Sequence, residues 1–172
     1  MGAWPPSFRS IYEAEFDYIW QTLRRLGVRP SDIEDVAHDV FVTVHRKLAD
    51  YDTFRPLRPW LFGIAFRVAS DYRRTARFKR EVFDGETDRE DVAPIADQQL
   101  ETKEAHKLVM AALETINLDQ RAVFILHELD GHTIPEVARA LGEPLNTIYS
   151  RLRLARKAFI TAVTRMQVTH GR

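Results

Sequence analysis

Apolar residues along this chain recur three or four positions apart, and no run alternates convincingly as a strand. Phe8, Ile11, Tyr12, Phe16, Ile19, Trp20 and Leu23 share one side of a first helix that Ser7 caps and that reaches Leu26, with Gly27 ending it. Ser31-x-x-Glu34 reads as a capping box that opens a second helix running to about Leu48. Pro56 and Pro59 make Tyr51–Pro59 a loop. A third helix follows from about Pro59 to Lys79, with Leu61, Ile64, Ala65, Val68, Ala69 and Tyr72 on its core side. Over residues 81–98 the periodicity lapses and Asp, Glu, Gly85 and Pro94 gather, which reads as a mobile linker. Helical patterns resume near Gln99, in segments at about 99–115, 119–130, 133–141 and 145–165. The expected fold is all-α: two small helical domains, residues 1–80 and 105–172, joined by an acidic flexible linker, 81–104.

The stretch Thr133–Phe159 is the most informative. Thr133-x-x-Glu136 is a capping box, and Ile134, Val137, Ala138 and Leu141 make a short apolar face. Gly142 supplies a left-handed C-cap, and Pro144 forbids continuation while suiting the start of the next helix. Leu145, Ile148, Leu152, Ala155 and Phe159 form the buried stripe of that helix. Its other side shows Asn146, Thr147, Tyr149, Ser150, Arg151, Arg153, Arg156 and Lys157. This is the pattern of a helix-turn-helix that places a helix in the DNA major groove. A solvated basic helix in an ordinary hairpin would show much of it too. Charge segregation favours DNA: no carboxylate follows Glu143, whereas Arg151, Arg153, Arg156, Lys157, Arg165 and Arg172 do.

Composition changes the picture in two places. The formal net charge of the 172 residues is zero, which taken globally argues against a nucleic-acid partner. Locally it is a sum of opposed blocks. Residues 67–80 set Arg67, Arg73, Arg74, Arg77, Lys79 and Arg80 against Asp71 alone, whereas residues 81–104 set nine carboxylates against Arg89 and Lys103. With no cysteine there are no disulfides, thiolate catalysis or cysteine zinc sites, and the cytoplasm is the expected compartment. MGAWPPSF lacks the features of a signal peptide, and the longest apolar run, Trp60–Phe66, is far short of the ~20 residues that span a bilayer. No membrane insertion is expected.

The third helix carries Phe66, Ser70, Arg73 and Arg77 in one outer stripe, with Arg67, Asp71, Arg74 and Phe78 beside it. Aromatic rings among arginines suit single-stranded nucleic acid, where bases stack on rings and arginines hold phosphates. Phe66 packed beneath the Tyr51–Pro59 loop is the alternative, and spacing does not decide between them. The second helix opens with Asp32, Glu34, Asp35 and Asp39. A helix dipole accounts for part of this acid, and an acidic face beside Val40 and Phe41 could also dock a basic partner.

Ser31–Phe41 (SDIEDVAHDVF), Pro59–Arg74 (PWLFGIAFRVASDYRR) and Leu113–Phe159 together resemble regions 2.2, 2.3–2.4 and 4 of a sigma-70 family RNA polymerase sigma factor. The resemblance is to the short extracytoplasmic-function (ECF) group and covers nearly the whole chain apart from the linker. It implies a region 2-like three-helix domain, a region 4-like helix-turn-helix domain and a factor that directs core polymerase to specific promoters. Core polymerase binding would fall to Asp32, Asp35, His38, Asp39 and Phe41. Recognition and melting of the −10 element would fall to the Tyr51–Pro59 loop with Arg58, Trp60, Phe66, Arg67, Asp71, Arg73, Arg74 and Arg77. Asn146, Thr147, Tyr149, Ser150, Arg151, Arg153 and Leu154 would contact the −35 element. The implied partners are core RNA polymerase, promoter DNA and a controlling anti-sigma factor, with no cofactor and no metal. The linker would thread toward the polymerase channels, its carboxylates mimicking nucleic acid.

Departures from the family pattern carry information. Ala65-Phe66-Arg67 stands where Ala-Arg-Asn is common, and His38 where Gln is usual. Tyr149 occupies a position commonly Lys or Arg, and Leu154 one commonly Arg. Tyr or Leu favours a thymine methyl or a phosphate over guanine O6/N7, so an altered −35 preference is expected.

Two other classes remain to be weighed. His127-Glu128 with His132 is close to the H-E-x-x-H zinc motif, but at i,i+5 the two rings diverge by about 140° around a helix, and Gly131 intervenes. No Gly-rich phosphate loop, nucleophile elbow or clustered catalytic carboxylates are present, so no enzyme is expected. A stand-alone helix-turn-helix regulator with a sensing or dimerising N-terminal domain fits the C-terminal half. It fits the acidic and aromatic-basic helices of the N-terminal half poorly.

Overall fold

The computed structural model describes residues 6–83 and 100–170, which fall into two compact units, 6–83 and 100–170. Every regular element among them is helical. The expected linker, 81–104, lies in part outside the described residues. Its ends are helical, since one helix runs to Phe83 and the next begins at Leu100.

The first unit contains α1 (Phe8–Arg25), α2 (Ile33–Lys47) and α3 (Leu57–Phe83). Ser7 Oγ accepts the Ser10 N–H at 3.1 Å, a cap readable from the sequence. Gly27, with φ of 83°, takes the left-handed turn after α1. The three helices pack pairwise around a core that includes Ile11, Ile19, Leu23, Val40, Val44, Leu61 and Ala65. Phe62 is fully buried as well, although it lies outside the expected core stripe of α3. Contact with α1 and α2 together widens the buried arc of α3 beyond a single stripe.

The Ser31 capping box does not form. Pro30–Asp32 is a 3-10 turn, in which Ser31 Oγ donates to Asp32 Oδ1 at 3.0 Å, and α2 begins with Asp32 as its N-cap residue without a side-chain cap bond. Pro30 presets the backbone for that turn and shifts Ser31 out of the cap position.

The second unit contains α4 (Leu100–Glu114), α5 (Leu118–Phe124) followed by a π turn (Ile125–Leu129), α6 (Ile134–Leu141) and α7 (Leu145–His170). Asn117 caps α5 through the Gln120 N–H at 3.0 Å. The capping box of α6 is complete: Thr133 Oγ1 accepts from Glu136 N–H, and Glu136 Oε2 accepts from Thr133 N–H at 2.8 Å. The Thr133 N–H bond is the largest influence holding the Glu136 carboxyl below its usual range. Gly142 is left-handed at φ 69°, and the Glu143 N–H returns to the Ala138 carbonyl at 3.0 Å.

Ile148, Leu152 and Ala155 form the buried stripe of α7, whereas Leu145 is 48% exposed. Leu145 is the first residue of α7, so the stripe starts one turn later than the spacing indicates. Arg121 is 2% exposed and donates from Nε and Nη2 to the Ile116 carbonyl, and from Nη2 to the Glu114 carbonyl. It therefore satisfies carbonyls that the end of α4 leaves without helical partners. No described helix is long and apolar enough to cross a membrane.

Candidate nucleic-acid and protein interfaces

Three surfaces gather the residues that the sequence singles out. On α2, Asp35, His38 and Asp39 are exposed beside Glu34, at helical spacings that place them on one side. Two residues expected with them do other work. Phe41 is 3% exposed and lies among the rings of Tyr12 (4.7 Å), Phe16 (6.0 Å) and Phe8 (6.5 Å). It is a core residue, buried by an aromatic ladder on α1. Asp32 accepts the Tyr72 hydroxyl at 2.5 Å, tying the start of α2 to α3. Burial first, and this bond second, push the Tyr72 phenol up to about 12.

The second surface is the loop between α2 and α3 with the outer side of α3. The loop is braced from within. Tyr51 is 7% exposed, its hydroxyl donates to the Arg55 carbonyl at 2.5 Å, and its ring lies 4.7 Å from that of Trp60. The Asp52 carboxylate accepts the Phe54 N–H at 3.1 Å and pairs with Arg55 at 2.9 Å. At the tip of this rigid turn Phe54 is 98% exposed. Holding an aromatic ring in water forgoes about 2–3 kcal/mol relative to burying it. Phe54 escaped the sequence reading. The available signal was an aromatic residue inside the polar, turn-forming run Asp52-Thr53-Phe54-Arg55-Pro56.

Along α3, Arg67, Asp71, Arg74, Arg77 and Phe78 are exposed, whereas Trp60 and Phe66 are half-buried. Asp71 and Arg74 form an ion pair, which leaves little net charge at that point of the stripe. Arg58 pairs through Nε with Glu15 of α1 at 2.9 Å, and its guanidinium lies 4.9 Å above the Tyr18 ring. Arg73 departs from expectation. Its Nη1 donates to the Leu26 carbonyl at 3.1 Å, so it fastens the end of α1 to α3 rather than standing free for DNA.

The third surface is the N-terminal half of α7. Asn146, Tyr149, Ser150, Arg153 and Leu154 are exposed at spacings that put them on one face, with Thr147 half-buried. Arg151 does not join them. It donates to Glu143 in the preceding turn at 3.1 Å and pairs with Asp119 of α5 at 3.7 Å, which locks the angle of α7. Arg156 is similarly engaged by Glu128, at 2.6 Å from Nε. Arg153 and Lys157 are exposed cations of this half of the helix, and Arg156 is exposed despite its pairing. His127 Nδ1 lies 2.8 Å from the His132 carbonyl, and His132 faces Glu136 at 3.8 Å. Among the described residues no three His, Cys, Asp or Glu side chains are grouped to hold a metal ion.

Against known families, residues 11–79 match the model for Sigma-70 region 2, and residues 106–159 match that for Sigma-70, region 4. The RNA polymerase sigma factor NccH of Alcaligenes xylosoxydans xylosoxydans is 30% identical over 153 residues, covering 86% of this chain and 82% of that protein. The ECF RNA polymerase sigma factor SigL of Mycobacterium tuberculosis is 29% identical over 164 residues, covering 94% and 91%. The solved structure of CnrH in complex with the cytosolic domain of CnrY superposes with a TM-score of 0.61 at 25% identity, over 92% of this chain and 88% of that one.

Proposed function

Because this chain belongs to the sigma-70 family of RNA polymerase sigma factors, in the ECF group, we propose a division of labour among its three surfaces. The protein directs core polymerase to promoters and is not itself a catalyst. The observation that carries the division is Phe54, a ring braced at the tip of a region 2 loop, on a chain that also bears a helix-turn-helix. A stand-alone regulator has no use for such a ring, whereas a factor that captures opened DNA does. Residues 6–83 would serve core binding and the −10 element, and residues 100–170 the −35 element.

Asp35, His38 and Asp39 supply an acidic, exposed side of α2 for the polymerase. Phe54, with Arg58, Arg67 and Arg77, takes the unpaired strand at the −10 element, and Trp60 braces the loop from below. Unstacking a base costs a few kcal/mol, which ring stacking and phosphate contacts offset in part. Asn146, Tyr149, Ser150, Arg153 and Leu154 enter the major groove at the −35 element, while Arg151 sets the helix angle. The acidic run in residues 81–104 carries the charge needed to occupy a basic polymerase channel. An anti-sigma factor is a further proposed partner, since the similar protein CnrH is seen with CnrY.

Promoter DNA should be bound weakly by the chain alone and at least tenfold more tightly once core polymerase is added, measured by fluorescence anisotropy. Tight binding by the chain alone would return the reading to the stand-alone regulator.

The groove face also predicts a specificity change. Tyr149→Arg should move the preferred base at one −35 position toward guanine, by about 1–3 kcal/mol of discrimination. Selection from a randomised −35 library by the assembled polymerase measures it. An unchanged preference would show that Tyr149 does not read bases.

A further inference from the structure

Arg58 stands in the first turn of α3, four residues after Phe54, and its side chain is 55% exposed. Its carboxylate partner Glu15 is only 14% exposed. Glu15 engages Nε alone, at 2.9 Å, so the terminal Nη1 and Nη2 groups are not engaged by the described residues. The ring of Tyr18, one turn further along α1, has the guanidinium carbon over it at 4.9 Å from its centroid. An arginine held at Nε with its guanidinium over a ring has lost much of its rotamer freedom, while its side chain stays more than half exposed. That is the arrangement for bidentate capture of a phosphate with little ordering cost left to the encounter. A lone interhelical ion pair would gain nothing from leaving the fork outside.

We propose that Glu15 and Tyr18 are positioning residues that hold Arg58 as a phosphate clamp for the single strand whose base stacks on Phe54. The proposal rests on the reading of the loop as the −10 capture site. It explains why a carboxylate sits beside a nucleic-acid surface: its charge is matched by Arg58, and its effect on DNA is exerted through the fork. The ring and the clamp belong to one short stretch, 54–58, so one base and a nearby phosphate can be taken together.

The sign of one substitution separates positioning from bulk electrostatics. Removing a negative charge near DNA should tighten binding if only net charge matters. The proposal requires the opposite for Glu15→Ala, with Glu15→Gln restoring affinity because its amide oxygen still accepts from Nε. The probe is single-stranded DNA carrying the non-template −10 sequence of a promoter mapped for the wild-type chain with core polymerase. Binding is followed against salt concentration with that same assembly.

Arg58→Gln should weaken binding roughly tenfold and make the slope of log K against log salt shallower by about 0.7, one phosphate contact on a single strand. Tyr18→Ala should weaken binding in the same direction as Glu15→Ala, because the ring beneath the guanidinium is gone. An unchanged salt slope in Arg58→Gln, or tighter binding in Glu15→Ala, overturns the proposal. A purely structural tie between α1 and α3 would move only the melting temperature. If the wild-type assembly does not bind the strand at all, the −10 reading itself falls, and the clamp with it.

Discussion

Replacing Phe54 with alanine should reduce promoter opening by about ten- to a hundredfold without lowering the stability of the protein. The size follows from the loss of one base–ring stack, about 1–3 kcal/mol. The selectivity follows from structure: Phe54 is 98% exposed, and the loop is held by groups other than its ring. Tyr51 fastens Arg55, and Asp52 holds the Phe54 N–H and the Arg55 side chain. Alanine at 54 keeps each of these bonds. Permanganate reactivity of unpaired thymines reports opening, and the melting transition of the chain alone reports folding. Phe54→Trp should open promoters about as well as wild type, because any flat aromatic face stacks. Unimpaired opening in Phe54→Ala would remove this ring from the mechanism.

Arg121→Met should destabilise the second unit by about 2–4 kcal/mol. Methionine keeps much of the volume but removes every donor, so the Ile116 and Glu114 carbonyls lose the bonds they receive. Each unsatisfied buried group costs about 1–3 kcal/mol. Arg121 also connects the end of α4 to α5, and α7 packs on both helices, so the pose of the recognition helix depends on it indirectly. For a unit of this size the loss corresponds to a fall of roughly 10–25 °C in its melting temperature. Scanning calorimetry of the full chain should show one transition moving. A shift of under about 3 °C would mean the carbonyls find other donors.

What could be read in advance depended on whether a residue's role is local. Ser7, Thr133 and Gly142 act on groups within five residues of themselves, and each does what its spacing implies. Ser31 failed because Pro30 beside it imposes a different turn. Arg73, Asp32 and Arg151 read as surface chemistry because polar residues at helical spacing carry no mark of their partners. The partners of Arg73 and Asp32 lie 47 and 40 positions away, while Glu143 is eight from Arg151. Phe41 lies beside an acidic face in sequence, and only the aromatic ladder of α1 shows that it points inward. Phe54 was hidden for the converse reason: an aromatic residue is ordinarily assigned to a core, and only a braced loop reveals one held in water.

These departures sharpen the surfaces. Subtracting Asp32 and Phe41 leaves a compact acidic side of α2. Subtracting Arg73 leaves the loop with Arg58, Arg67 and Arg77 of α3 as the surface proposed for the strand. Subtracting Arg151 leaves an exposed face of α7 that includes Tyr149 and Leu154, which is why its base preference should depart from a guanine-reading one.

The central claim is that this chain gives core polymerase its promoters. Core polymerase from the matching host, incubated with genomic DNA with and without the protein, can be assayed by mapping transcript 5′ ends. New start sites are expected, each preceded by one shared pair of −35 and −10 elements, that core polymerase alone does not use. The same 5′ ends with and without the protein would contradict it.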